Sequence, residues 1–165
     1  MSTALVSALA FTAALGAGLI GGVFYAFSTF VLKALSRQPH PEGMAAMQTI
    51  NAVVINPLFL GVFLGTAGAC AAAAVIALLR WDHSGSHWLL AGGLLYLAGT
   101  FGGTVFGNVP LNNALAGVAR DDPDGRRRWE DYVRRWNAWN HARTLASLAA
   151  AGALTVAFRL SEVGE

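Results

Sequence analysis

The sequence predicts an all-α integral membrane protein, an antiparallel four-helix bundle with an amphipathic juxtamembrane extension before the fourth span. Of its 165 residues, 55% are hydrophobic and 12% are charged, against about 45–50% and about 25% in ordinary soluble domains. Four long tracts contain no Asp, Glu, Lys or Arg: residues 1–32, 43–79, 83–119 and 144–158. Because a soluble domain and a disordered chain both need charged or polar residues throughout, the composition excludes both classes.

Four apolar tracts are long enough to cross a bilayer, which takes about 20 apolar residues in a helix. The predicted spans cover about 4–32, 57–79, 88–107 and 138–159 of a single domain, 1–165. The apolar core of the fourth tract is short, and its helix is therefore predicted to begin earlier, among the tryptophans.

An amphipathic helix over about 123–140 is predicted to precede the fourth span. Asp122 is a typical N-cap, and Pro123 suits the first helical position. The apolar stripe of this helix consists of Trp129, Tyr132, Val133, Trp136 and Trp139. A basic helix with an aromatic stripe just before a span is typical of a segment at the lipid interface.

The distribution of basic residues predicts the orientation in the membrane. The loops 33–56 and 108–141 carry eight Lys and Arg residues, whereas the opposite face carries only Arg80 and Arg159. The positive-inside rule therefore places both loops in the cytoplasm. Since the arginines lie beside membrane-length segments, we expect them to meet the lipid bilayer, and we expect no nucleic acid as a partner.

Small residues recur four positions apart in every predicted span. They are Ala14/Gly18/Gly22, Gly61/Gly65/Ala69, Gly99/Gly103/Gly107 and Ala149/Ala153/Ala157. In lipid, such stripes let helix backbones approach closely. They favour a compact bundle, and they leave a homo-oligomer open.

Polar residues collect at one end of every predicted span. They are Ser28 and Thr29 in the first span, Asn51 and Asn56 before the second, Asn108, Asn112 and Asn113 after the third, and Asn137, Asn140, His141, Arg143 and Thr144 in the fourth. Because the helix direction alternates, all four groups reach the same side of the membrane. We therefore predict a half-buried polar chamber that opens towards one leaflet.

A helical wheel of the fourth span separates a polar face from an apolar one. Asn140, Thr144 and Ser147 share the polar face, and Trp136 and Arg143 lie beside them. The opposite face consists of Ala138, Ala142, Leu145 and Ala149. His141 lies about 100° from Asn140, as consecutive helical residues do.

These residue types predict two sets of site residues. The predicted catalytic residues are His141, Arg143, Asn140, Asn112 and Asn108. The predicted substrate-binding residues are Trp136, Trp139, Phe24, Phe27, Asn51 and Asn113. In this interpretation His141 is a general base, Arg143 is a fixed cation, and the carboxamides stabilise an oxyanion. A structural interpretation stays open, with asparagines bonding helix to helix, an arginine snorkelling to phosphate, and aromatic rings facing lipid or core.

No metal or other cofactor is predicted. His83 and His87 lie four apart beside Asp82, but this set in a Gly/Ser loop is typical of a solvated turn. The single cysteine, Cys70, lies in an apolar run and indicates a packing residue.

Four segments resemble a known family. They are Gly-Gly-Val-Phe-Tyr-Ala-Phe-Ser-Thr-Phe (21–30), Met-Gln-Thr-Ile-Asn (47–51), Asn-Val-Pro-Leu-Asn-Asn-Ala-Leu (108–115) and Trp-Asn-Ala-Trp-Asn-His-Ala-Arg-Thr-Leu-Ala-Ser (136–147). In this order and spacing they resemble the anthrone oxygenase-like family of small four-span integral membrane proteins. The resemblance covers nearly the whole chain, and its likeness to the bacterial members implies a bacterial inner membrane as the expected location. It implies the same fold, and it implies an activity like that of the fungal members, which oxidise anthrones to anthraquinones.

Two functions are consistent with these observations. The first is a membrane-embedded oxygenase acting on a lipophilic aromatic small molecule, anthrone- or phenol-like, whose carbanion reduces O₂ directly and needs no metal or flavin. The second is a non-enzymatic membrane bundle that binds a lipid, a quinone or a partner membrane protein. A one-sided polar chamber favours the first, and small-residue stripes favour the second.

Overall fold

The computed structural model describes residues 2–163, which form five helices joined by turns. The helices are α1 (Thr3–Ser36), α2 (His40–Val53), α3 (Pro57–Leu79), α4 (Ser86–Ala116) and α5 (Gly125–Val163). Within α1, Phe27–Val31 is π-helical, and within α4 so are Leu95–Gly102 and Thr104–Asn108. Pro110 is the second residue after the last π-helical segment, and its missing N–H interrupts the α-helical hydrogen bonds there.

Four of the helices in the described part of the chain, α1, α3, α4 and α5, are long and apolar enough to cross a membrane. Neighbouring spans are antiparallel. At one end of the bundle the hydroxyls of Ser7 and Ser161 are 2.7 Å apart, and at the other end Asn140 Nδ2 donates to the Phe24 carbonyl at 2.7 Å. The predicted fold class, an all-α membrane bundle, is therefore confirmed.

Small residues form the interior between the spans. Fully buried side chains include Ala10, Ala13, Ala17, Cys70, Ala73 and Ala77, with Ile20 and Leu154 among the few large ones. A core of this composition lets the helix backbones come close, as packing in lipid requires.

Only some of the predicted small-residue stripes face another helix. A Cβ added at Gly99 would lie 2.4 Å from Ala146 Cβ, and one added at Gly107 would lie 2.4 Å from Trp139 Cδ2, so this stripe of α4 packs on α5. In contrast, a Cβ at Gly61, Gly65 or Gly22 would meet nothing within 4 Å. The expectation that these glycines of α1 and α3 mediate packing is wrong, because their side of the helix faces outward.

We expect the substitution Gly99→Ala to destabilise the bundle, because the added methyl group must push α4 away from Ala146. Overpacking of this kind costs about 1–3 kcal/mol, and it should appear as a lower thermal unfolding temperature in detergent. Gly65→Ala is the matched control, since it adds the same methyl group where no neighbour is met. Equal unfolding temperatures for both variants would contradict the close contact between α4 and α5.

The loop predicted over 33–56 contains a helix, α2, that the sequence analysis did not anticipate. Met44 and Met47 of this helix are fully buried. They pack with the aromatic rings of Trp129, Tyr132 and Trp136, which are also buried. The aromatic stripe of α5 is thus covered mainly by protein, and Trp139 is its exposed member.

The N-terminus of α5 also differs from the prediction. The helix begins at Gly125, so Pro123 is not its first helical residue. Asp122 instead closes the preceding turn, where its side chain accepts from the Asp124 amide at 2.8 Å and its carbonyl accepts from the Gly125 amide at 2.8 Å. The helix then continues without interruption into the fourth span.

Candidate functional site

A cavity of about 350 Å³ lies between α1, α2, α3, α4 and α5, at the end of the bundle nearest α2. Its walls are mostly apolar. The aromatic members are Phe24, Phe27, Phe59, Phe63, Phe101 and Trp136. Four polar residues also line it: Asn51, Thr104, Asn112 and Arg143. A concave, largely apolar site with a few polar groups is the usual form of a small-molecule site.

The mouth of the cavity is apolar. Ile55, Leu64, Val105 and Val109 line the cavity and are exposed on the outside of the bundle. Ile55 lies in the turn before α3, Leu64 in the first half of α3, and Val105 and Val109 in the second half of α4. The exposed side of the cavity is therefore lined by apolar side chains of two helices that are long and apolar enough to cross a membrane.

The π-helical segments lie at the cavity. Phe27 starts the π-helical turn of α1, and Phe101 and Thr104 belong to the two such segments of α4. π-helical turns within α-helices are frequent at functional sites. Here all three residues line the cavity.

Arg143 is the charged residue of the cavity. It is 5% exposed. Its Nε and Nη2 donate to Asn140 Oδ1 at 3.0 and 2.7 Å, and its Nη1 donates to Thr104 Oγ1 at 3.2 Å. The guanidinium carbon lies 3.9 Å from the centroid of the Phe24 ring and 5.1 Å from that of Trp136, both within cation–π range.

All these partners of Arg143 are uncharged. The three ion pairs among the described residues join Arg127 to Asp124, Arg128 to Asp122 and Arg134 to Asp131, at or near the start of α5. The cation at the cavity thus has no carboxylate partner among residues 2–161, whose side chains the structure describes. Because a buried charge is costly without an opposite charge, the site favours an anionic group in the cavity.

Asn140 holds Arg143 in place. Its side chain is fully buried. Its Nδ2 donates to the Phe24 carbonyl and to Ser28 Oγ, both at 2.7 Å, which anchors α5 on α1. Its Oδ1 is therefore turned towards the guanidinium, where it accepts two hydrogen bonds. Asn140 thus acts on the cavity through Arg143.

A second polar group surrounds Asn112. Its Oδ1 accepts from Trp136 Nε1 at 2.8 Å and from the Tyr132 hydroxyl at 3.0 Å. Asn51 Nδ2 donates to the same hydroxyl at 3.3 Å. These bonds join α2, α4 and α5 and orient the Trp136 ring beside Arg143.

The structure brings most of the predicted site residues together. Six of them line the cavity: Arg143, Asn112, Trp136, Phe24, Phe27 and Asn51. Asn140 lies directly behind Arg143. Asn108 is buried and donates to the Trp136 carbonyl at 3.1 Å, while its Oδ1 has no hydrogen-bond partner in the described part of the chain.

The other three predicted residues are not brought to the cavity: His141, Trp139 and Asn113 are exposed. His141 shares a hydrogen bond of 3.3 Å with Asn137, on the outside of α5. The reason is the helical turn of about 100° between consecutive residues, which directs His141 away when Asn140 points inward. The structure therefore gives no support to the predicted role of His141 as a base acting in the cavity.

Several lining residues were missed by the sequence analysis. Phe63 stacks between Phe59 and Phe101, with ring centroids 6.0 and 5.7 Å away. The spacing of Phe59 and Phe63, four residues apart in an apolar helix, is a signal, but it is equally typical of a lipid-facing surface. Thr104 lies four residues before Asn108. It stands among the small residues of α4, so its position in the sequence did not indicate a site residue.

Fold and site together define a class of protein: a small integral membrane helix bundle with a largely apolar cavity that contains a buried arginine. A sequence model described as anthrone oxygenase matches residues 58–153, which is more than half of the chain. The chain belongs to the anthrone oxygenase family. The match includes two of the four resembling segments, 108–115 and 136–147. Neither a curated protein nor a solved structure shows significant similarity to the chain.

Proposed function

We propose that this protein is a membrane-embedded oxygenase that converts a lipophilic aromatic compound, anthrone- or phenol-like, inside the cavity. The observation that carries the proposal is Arg143, a buried cation without a carboxylate partner in the described chain, set among aromatic rings. An anthrone or phenol offers both matching features, a flat apolar ring system and an oxygen that becomes anionic on deprotonation. The family name supports the same reaction type.

The substrate reaches the site from the membrane. A lipophilic aromatic compound dissolves in the hydrocarbon region, and the exposed apolar residues at the mouth let it pass without crossing a polar surface. Inside, Phe59, Phe63 and Phe101 offer ring faces for stacking.

The chemistry follows from stabilisation of an oxyanion. Loss of a methylene proton to water turns an anthrone into an enolate, whose oxygen the Arg143 guanidinium binds. The electron-rich carbon is oxidised by O₂, and the carbon–oxygen bond that forms yields a hydroperoxide. Loss of water from this hydroperoxide leaves a carbonyl group. In sum, one methylene group and one O₂ give one carbonyl group and one water molecule.

Purified protein in detergent should consume O₂ when anthrone is added, with formation of the quinone in equal amount. An oxygen electrode and absorption spectroscopy measure both. We expect the variant His141→Ala to retain this turnover, because the imidazole lies outside the cavity. Loss of turnover in His141→Ala without loss of stability would instead restore the base role. Absence of O₂ uptake with anthrones and with phenols alike would contradict the proposed oxygenase.

A further inference from the structure

Asn51 and Asn112 form a second polar part of the cavity, and the hydrogen bonds determine how both carboxamides are oriented. Trp136 Nε1 can only donate, so the atom of Asn112 that faces it at 2.8 Å must be the oxygen. The Tyr132 hydroxyl donates to the same oxygen and therefore accepts from Asn51, whose nitrogen must face it. The order of donors and acceptors thus leaves no freedom for a flipped amide.

Two polar atoms remain without a partner among the described residues: the oxygen of Asn51 and the nitrogen of Asn112. Both residues line the cavity, and both carboxamides bond the same Tyr132 hydroxyl, which makes them neighbours. One atom accepts and the other donates. A hydroxyl group satisfies both at once, since it donates one hydrogen bond and accepts another, whereas a carbonyl or an ether oxygen only accepts.

We propose that Asn51 and Asn112 are an amide subsite for an aromatic hydroxyl group of the substrate, separate from the oxyanion bound by Arg143. The inference takes the aromatic ring system of the substrate from the proposed function. The preference for a hydroxyl group concerns binding alone and does not require turnover. A site built to bond a hydroxyl discriminates against the analogue without it, because its own polar groups then stay unpaired. The subsite therefore selects hydroxylated ring systems over unsubstituted ones.

The test compares the affinities of stable ligands that undergo no turnover. Anthraquinone and a set of its monohydroxylated isomers are titrated into the purified full-length protein, with quenching of tryptophan fluorescence as the signal. We expect at least one isomer to bind about tenfold more tightly than anthraquinone, as one satisfied hydrogen-bond pair provides. In Asn51→Leu we expect that isomer to bind no better than anthraquinone. Asn113→Leu, on an exposed position of α4, is the matched control and should keep the preference.

The same titration with naphthol and naphthalene separates this inference from the proposed function. A preference for naphthol that Asn51→Leu removes supports the amide subsite even if anthraquinones do not bind and anthrones are not oxidised. Equal affinity for hydroxylated and plain rings in both series would overturn it. An equal loss of affinity for both ligands in Asn51→Leu would overturn it too, because Asn51 would then merely shape the cavity. Within the described residues, the Asn51 side chain makes one hydrogen bond, at 3.3 Å, so the variant is expected to fold.

Discussion

Arg143→Met should reduce turnover of an anthrone by about 10²–10³-fold, the usual effect of removing one preorganised donor to an oxyanion. The methionine side chain is unbranched and apolar like the aliphatic part of arginine, but it is shorter and carries no charge and no donor beside Phe24 and Trp136. The loss should therefore lie in kcat, with a smaller change in KM, since the charge of the enolate develops only during the reaction. Steady-state O₂ uptake measures both constants.

Arg143→Lys is the matched variant for this prediction. It keeps the positive charge but cannot bond Asn140 through two nitrogens as the guanidinium does. We expect a turnover between those of the wild type and Arg143→Met. Thermal unfolding of both variants serves as the control for stability. In Arg143→Met, removal of the buried charge offsets part of the stability that is lost with the hydrogen bonds. Full turnover in a folded Arg143→Met protein would refute the role of Arg143.

Asn140→Ala should cause the largest loss of stability among the site variants, about 3–5 kcal/mol. The substitution removes two hydrogen bonds to α1, at Phe24 and Ser28, and two from Arg143. It also leaves the guanidinium buried with Thr104 as its one remaining hydrogen-bond acceptor among the described side chains. Chemical or thermal unfolding in detergent micelles, followed by circular dichroism, measures the effect.

Asn113→Ala is the control for Asn140→Ala, since the same residue type on an exposed helix position should change the stability by less than about 0.5 kcal/mol. A melting temperature of Asn140→Ala equal to that of Asn113→Ala would show that the bonds between α1 and α5 contribute nothing measurable. The double variant Asn140→Ala/Arg143→Met should be more stable than Asn140→Ala alone, because it removes the unsatisfied charge.

The helical wheel of the fourth span shows what helical periodicity predicts correctly. Asn140, Thr144 and Ser147 share one face in the sequence, and all three are buried, whereas Ala142 and Leu145 on the opposite face are exposed. A period of 3.6 residues dictates which residues share a face. In lipid, polar side chains turn inward because no water satisfies them on the outside. Position and chemistry together therefore predicted Arg143 and Asn140 as interior residues.

His141 and α2 are two features that periodicity and residue chemistry did not predict correctly. His141 lies close to Asn140 in sequence and shares its polar character, yet the wheel alone does not determine how wide the buried face is. The width of the buried face depends on how α1 and α4 pack against α5. In this structure His141 lies outside that face and is exposed. The helix α2 was hidden because its hydropathy is modest, and its two buried methionines are significant only beside the aromatic rings of α5.

The sequence by itself determined the membrane class, the four apolar helices, the family resemblance and the end of the bundle that carries the polar residues. Each depends on composition, length or local periodicity, which a single segment of chain contains. Only the tertiary structure decided which aromatic rings enclose the cavity, where its mouth opens, and that Arg143 is held by neutral partners. These features arise between residues far apart in the chain, such as Phe24 and Asn140, whose contact depends on how the helices pack.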